Sequence, residues 1–135
     1  MEHSRAYTLL ELLIALAISA MMTTLAYPAY VSYEAHANRN HAEVALMELT
    51  ARLEDYFTSN NTYQSATAND LKMDNLESDL PYQLVLANVS DTHFTIQAIP
   101  NATQGTQDSS CGTLSITDTA HRTISGSGGV DACWS

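Results

Sequence analysis

The chain has 135 residues, with five Lys+Arg against 15 Asp+Glu and a formal charge of −10. One domain of ordinary size is all this length holds. The four cations of residues 32–135, Arg39, Arg52, Lys72 and Arg122, are scattered among thirteen acids. That leaves no basic stripe to neutralise phosphates, so direct binding of nucleic acid by this chain is not expected.

A mean hydropathy of −0.12 conceals a segregated sequence. From Leu9 to Val31 the only charged residue is Glu11. Residues 7–31, 25 in number, would cover about 37 Å as a helix, enough to cross a hydrocarbon core of about 30 Å. A cleaved secretory signal would be shorter and would carry an A-x-A site, whereas Ala29-Tyr30-Val31-Ser32 follows here. The preferred reading is a membrane anchor. Arg5 before it and Arg39 after it balance, so charge does not orient the anchor.

Glu11 is anomalous, because a carboxylate costs about 2.5–3.5 kcal/mol at a bilayer centre. Two readings stand. The carboxylate sits at headgroup level, favoured by the helix dipole, or it meets a cation from another chain.

Pro28 lies in a pattern that is helical on both sides, and a kink is expected near residues 24–28. Beyond it Ala42, Ala45/Leu46, Leu49, Leu53 and Tyr56/Phe57 recur at steps of three and four, one stripe of an amphipathic helix. Glu48 and Arg52 are four apart on what reads as a solvated face. The helix is expected from Tyr7 to Phe57. Ser59-Asn60-Asn61-Thr62 ends it and opens a polar loop to about Pro81. Acids in that loop lack calcium-loop spacing, and no metal is expected.

Strands follow. Tyr82, Leu84 and Leu86 alternate with Gln83, Val85 and Ala87, and Phe94, Ile96 and Ala98 alternate with Thr95, Gln97 and Ile99. Leu114 and Ile116 mark a third strand, and His121 to Ile124 a fourth. The fold class expected is α+β, one long helix packed on an antiparallel sheet of about four strands.

Cys111 and Cys133, with 21 residues between them, fit neither a CxxC redox pair nor a zinc site. An even pair on an exported chain suggests one disulfide, with two buried thiols as the alternative. His36 and His41 do not share a helical face, and His93 and His121 stand alone. With no nucleophile constellation, neither an enzyme nor a cofactor is expected, and a membrane-anchored enzyme would need a pocket of converging polar groups.

Ala6-Tyr7-Thr8-Leu9-Leu10-Glu11-Leu12-Leu13-Ile14-Ala15 resembles the class III signal of type IV prepilins and pseudopilins: a short polar leader, an aromatic, Thr-Leu, an aliphatic, Glu and an apolar run. The resemblance implies a pilin fold and cleavage between Ala6 and Tyr7 by a membrane peptidase that also methylates the new amino group of Tyr7. It divides the chain into a leader, 1–6, a membrane and filament-core helix, 7–31, and a globular body, 32–135. It implies that Glu11 pairs with the N-terminal ammonium of a neighbouring subunit and sets register. The pair relieves an unpaired apolar charge. The family usually has Gly before the cut and Phe after it, where this chain has Ala6 and Tyr7. The stretch from Ile99-Pro100 to Asp131-Ala132-Cys133-Trp134 is similar to the disulfide-bounded region of minor pilins.

The implied function is a structural subunit of a type IV pilus, a minor pilin in pilus assembly. Its implied partners are other pilins, the prepilin peptidase/methylase, the assembly platform and the inner membrane, with the body periplasmic before assembly. A major pilin, a type II secretion pseudopilin and a DNA- or surface-binding receptor pilin are the alternatives.

Overall fold

The computed structural model describes residues 7–135, in two units, the first ending at Tyr33 and the second Glu34–Ser135. The leader 1–6 lies outside the described residues. Helix α1, Leu9–Asn60, is continuous through Pro28. Pro28 has no N–H to give the preceding turn, and the helix continues on both sides of the missing bond. The expected end at Phe57 moves one turn on. Asn61 closes the helix in the left-handed conformation, φ 58°, donating its N–H to Phe57 O at 2.7 Å.

Within the first unit, residues 7–30 are all exposed. Apolar side chains ring the helix there, as they do in a segment whose solvent is lipid or other helices. One helix is thus long and apolar enough to cross a membrane.

In the second unit the stripe read from the sequence is the buried face of α1: Ala42, Ala45, Leu46, Leu49 and Leu53 are closed to solvent. Four antiparallel strands follow in the spatial order of the chain, β1 Tyr82–Val89, β2 Phe94–Pro100, β3 Leu114–Thr117 and β4 Arg122–Ile124. Their alternation places Tyr82, Leu84, Phe94, Ile96, Ala98, Leu114 and Ile116 in the same core cluster as the α1 stripe. Pairing sets Leu84 opposite Ala98 and Ile96 opposite Ile116, and the ladder shifts by one residue between Leu86 and Asn88. Tyr63 joins the two ends of the core, stacked on Phe57 at 4.6 Å and edge-on to Phe94 at 5.0 Å.

Three short helices were not anticipated: α2 Asp74–Glu77, α3 Ala102–Gln107 and α4 Val130–Cys133. α3 begins at Asn101, whose side chain accepts the Gln104 N–H at 2.9 Å. α2 places Glu77 where its carboxylate accepts the Leu84 N–H at 2.7 Å. β1 is a terminal strand of the sheet, and capping such an N–H keeps an edge from pairing with another chain.

Candidate functional site

Two places in the chain concentrate chemistry. The first is the start of α1. The Thr8 N–H and hydroxyl lie 3.3 and 3.5 Å from Glu11 Oε2, and the Glu11 N–H lies 3.3 Å from Thr8 Oγ1. This is a capping box, in which a hydroxyl and a carboxylate three residues apart satisfy each other's backbone donors. Glu11 therefore has a partner inside its own chain, and Thr-x-x-Glu is the sequence signature of that pairing. Tyr7 beside it is exposed, as are Leu9, Leu10 and Leu12 to Ile14. Ala6, the other residue of the expected cut, lies outside the described residues.

Three hydroxyls interrupt the apolar segment without adding an unsatisfied donor. Ser19 bonds Ala15 O, Thr23 bonds Ser19 O and Thr24 bonds Met21 O, at 2.7–2.8 Å. Each returns its proton to the helix backbone, which suits a segment passing through hydrocarbon.

The second place is a polar brace inside the body. Arg39 faces the core side of α1, where Nη1 meets both Asp108 carboxylate oxygens at 2.7 Å and Nη2 meets His36 Nδ1 at 2.7 Å. Arg39 and Asp108 are both buried. Gln104 lies 1% exposed and gives its amide N–H groups to Ala35 O at 2.9 Å and the Tyr82 hydroxyl at 3.1 Å, while accepting from Asn38 at 3.2 Å. Burial raises the Tyr82 hydroxyl pKa, and the Gln104 hydrogen bond opposes the shift. One turn further along α1, Glu43 Oε2 accepts the Ser135 N–H and hydroxyl at 3.0 and 2.7 Å. The brace ties α1 at once to α3, β1 and the C-terminal residue.

Cys111 and Cys133 form a disulfide. The turn between β4 and α4 lies against the Cys111 segment: Gly126 and Gly128 donate to Cys111 O and Ser110 O at 3.0 and 2.7 Å. A Cβ on Gly126 would stand 2.1 Å from Ser110 O, so only glycine lets the two backbones approach. Trp134 seals the end of the loop, buried, donating to Thr123 O at 3.3 Å beneath the Arg122 guanidinium.

The cations the sequence counts as scattered are mostly engaged. Arg39 belongs to the brace. Arg52 bonds Glu48 at 3.1 Å, as its spacing predicts, and also donates to Leu71 O and Lys72 O at 2.7 and 2.9 Å, pinning the loop to α1. His93, read as solitary, pairs with Asp118 at 2.9 Å. A groove of about 430 Å³ is lined by Arg52, Asp55, Tyr56, Asp70 and Lys72. Two of these side chains are already committed, Arg52 to the loop carbonyls and Asp70 to Thr67. Among the described residues no three His, Cys, Asp or Glu side chains gather as metal ligands would.

A long N-terminal helix laid on a four-stranded antiparallel sheet, with an exposed apolar first half and a disulfide-closed C-terminal loop, is the architecture of a type IV pilin. The prokaryotic N-terminal methylation motif matches residues 1–27. The chain belongs to the family described as type IV minor pilin ComP, DNA uptake sequence receptor, which matches residues 28–115. It is a minor pilin of the type IV pilus class, and the family implies association with other pilins and prepilin processing. The fold is shared with the crystal structure of the Neisseria meningitidis non-core minor pilin PilV, at a TM-score of 0.57 and 24% identity, over 70% of this chain and 90% of that one. No curated protein sequence matches.

Proposed function

We propose that this minor pilin acts in pilus assembly as a structural subunit. It resides in the inner membrane through residues 7–31, with the body 32–135 on the periplasmic side, until it is cut between Ala6 and Tyr7 and N-methylated at Tyr7. In the filament, residues 7–31 repack among neighbouring helices. Glu11 leaves the Thr8 capping box, or shares it, to meet the N-terminal ammonium of the next subunit. Pro28 marks the level at which the helix yields on repacking. The subunit performs no catalysis and carries no cofactor.

The observation that carries this reading is the exposed apolar helix from Leu9 to Leu25, every position of it open to solvent, with one carboxylate, Glu11, near its start. Ten exposed Leu, Ile and Met side chains in that stretch, at about 1.5–3 kcal/mol each, require a cover of lipid or other helices. A single charge in that cover selects the register at which a cation can reach it. Replacing Glu11 with Ala tests it: membrane insertion and body folding stay intact while recovery in sheared pili falls. Normal incorporation would remove the registration role.

A second reading has one specific support, the family's description as a DNA uptake sequence receptor. Against capture of DNA by this subunit alone stands its charge. Residues 34–135 carry four cations and thirteen acids, net −9. Arg39 is buried on Asp108, Arg52 holds backbone carbonyls and Arg122 lies over Trp134. Lys72 alone is left uncommitted among these four, and phosphate contacts by cations supply nearly all of non-specific affinity and a large share of specific affinity. We expect no retardation of duplex DNA by the body at about 0.15 M salt. Retardation of an uptake-sequence duplex but not of a scrambled one would establish the receptor reading instead.

A further inference from the structure

We propose that Tyr27, Tyr30 and Tyr33 form an interfacial anchor that seats the membrane-resident subunit at a fixed depth, with their rings in the outer headgroup layer and Tyr7 in the inner one. The proposal rests on the membrane-resident state proposed above and specifies its geometry. All four side chains are strongly exposed, Tyr7 at 78%, Tyr27 at 69%, Tyr30 at 63% and Tyr33 at 74%. No tyrosine occurs between Tyr7 and Tyr27.

The spacing matches a bilayer. Twenty residues separate Tyr7 from Tyr27, which is about 30 Å of helix and equals the thickness of the hydrocarbon core. Tyr33 lies about 9 Å beyond Tyr27, within the depth of a headgroup region. Steps of three residues turn the helix by about 300°, so the three rings spread over an arc of about 120° at neighbouring levels. They line one side of the helix at its outer end, at the depth of a planar boundary. Phenol rings prefer that boundary because the ring is apolar and the hydroxyl wants water or a headgroup acceptor.

The chemistry between the two ends agrees. Ser19, Thr23 and Thr24 return their hydroxyl protons to the backbone, so the interior of the span exposes no free donor. The three tyrosine hydroxyls would be costly in hydrocarbon and are not costly at the boundary. In this seating Glu11, four residues past Tyr7, lies about 6 Å inside the inner boundary, with its capping box, rather than at the bilayer centre. The anchor therefore holds the carboxylate at the inner edge of the membrane, where a cation on the next chain's amino terminus can reach it. It also resists axial movement until the helix has another helix to repack against.

Spin labels report this depth. In the full chain, with Cys111 and Cys133 left joined, Ile18→Cys, Ala29→Cys and Ser32→Cys are labelled one at a time. Each is reconstituted into vesicles of phosphatidylethanolamine and phosphatidylglycerol, and collisions with oxygen and with a water-soluble nickel chelate are compared. The label at 18 is expected to favour oxygen several-fold over those at 29 and 32. Replacing Tyr27, Tyr30 and Tyr33 together with Ala should shift the labels at 29 and 32 along the membrane normal, and replacing the three with Trp should restore their depth. A label at 29 as deep as that at 18, or unchanged depths in the triple alanine variant, would overturn the anchor while leaving membrane residence intact. Nickel-exposed labels at all three positions would instead remove membrane residence, and the anchor with it.

Discussion

Arg39 and Asp108 are 69 residues apart in the chain, yet one guanidinium nitrogen contacts both carboxylate oxygens at 2.7 Å inside the body. Both side chains are more than nine-tenths buried. In low dielectric either ion alone would be expensive, so the pair is a condition placed on the fold: α1 and the segment after α3 must meet in one register. Removing one partner leaves an uncompensated buried charge. Arg39→Ala or Asp108→Ala should each cost about 3–5 kcal/mol, while replacing both with apolar residues of similar volume should cost far less. Denaturant titration followed through buried Trp134 measures the difference.

The disulfide loop offers a contrast between two glycines. A side chain on Gly126 would collide with Ser110 O, whereas Gly129 has nothing within 4 Å of an added Cβ. Gly126→Ala should lower stability by more than about 2 kcal/mol and slow oxidation of Cys111 with Cys133. Gly129→Ala should stay within about 0.5 kcal/mol of the parent. Free-thiol titration during refolding and the denaturation midpoint check the two effects.

Loss of the disulfide itself should cost about 3 kcal/mol by the loop-closure estimate. The Cys111→Ser/Cys133→Ser variant is expected to keep its sheet but unfold at lower denaturant. Far-ultraviolet dichroism across the transition would show it.

Tyr63 links stability to alkaline pH. Burial, reinforced by its hydrogen bond to Glu54 at 2.9 Å, pushes its pKa up from 10.0 to about 12. The folded chain then holds the proton more tightly than the unfolded one. The stabilisation is complete below pH 10 and is lost as pH rises through 12. Tyr63→Phe should flatten that part of the stability profile relative to the parent, as measured by denaturation midpoints between pH 9 and 12.

Periodicity explains which parts of this structure were legible in the sequence. Leu46, Leu49 and Leu53 recur at helical steps and Leu84, Phe94 and Ile96 at strand steps, and apolar repetition of that kind survives any choice of topology. Arg39, Gln104 and Asp108 were not legible, since a polar residue joins a core through a partner that only the tertiary fold supplies. Helix α3 was missed because ATQGTQ contains Gly105 and two threonines, a weak helix sequence. Asn101, an N-cap residue type directly before it, was the available signal. At the N-terminus, Thr8 and Glu11 stand in capping-box spacing, a local partner for the carboxylate that is legible beside the helix dipole and a foreign cation. Leader and cleavage, which fall on residues 1–6 and Tyr7, are chemical events that a single folded chain does not display.

The proposed function requires that this minor pilin be processed before Tyr7 and built into a filament. Mass spectrometry of sheared, washed pili tests it most directly. The expected subunit is substoichiometric, with an N-terminal peptide that begins at N-methylated Tyr7 and with Cys111 and Cys133 joined. Pili that lack the subunit altogether, while the intact chain beginning at Met1 stays in the membrane fraction, would contradict it.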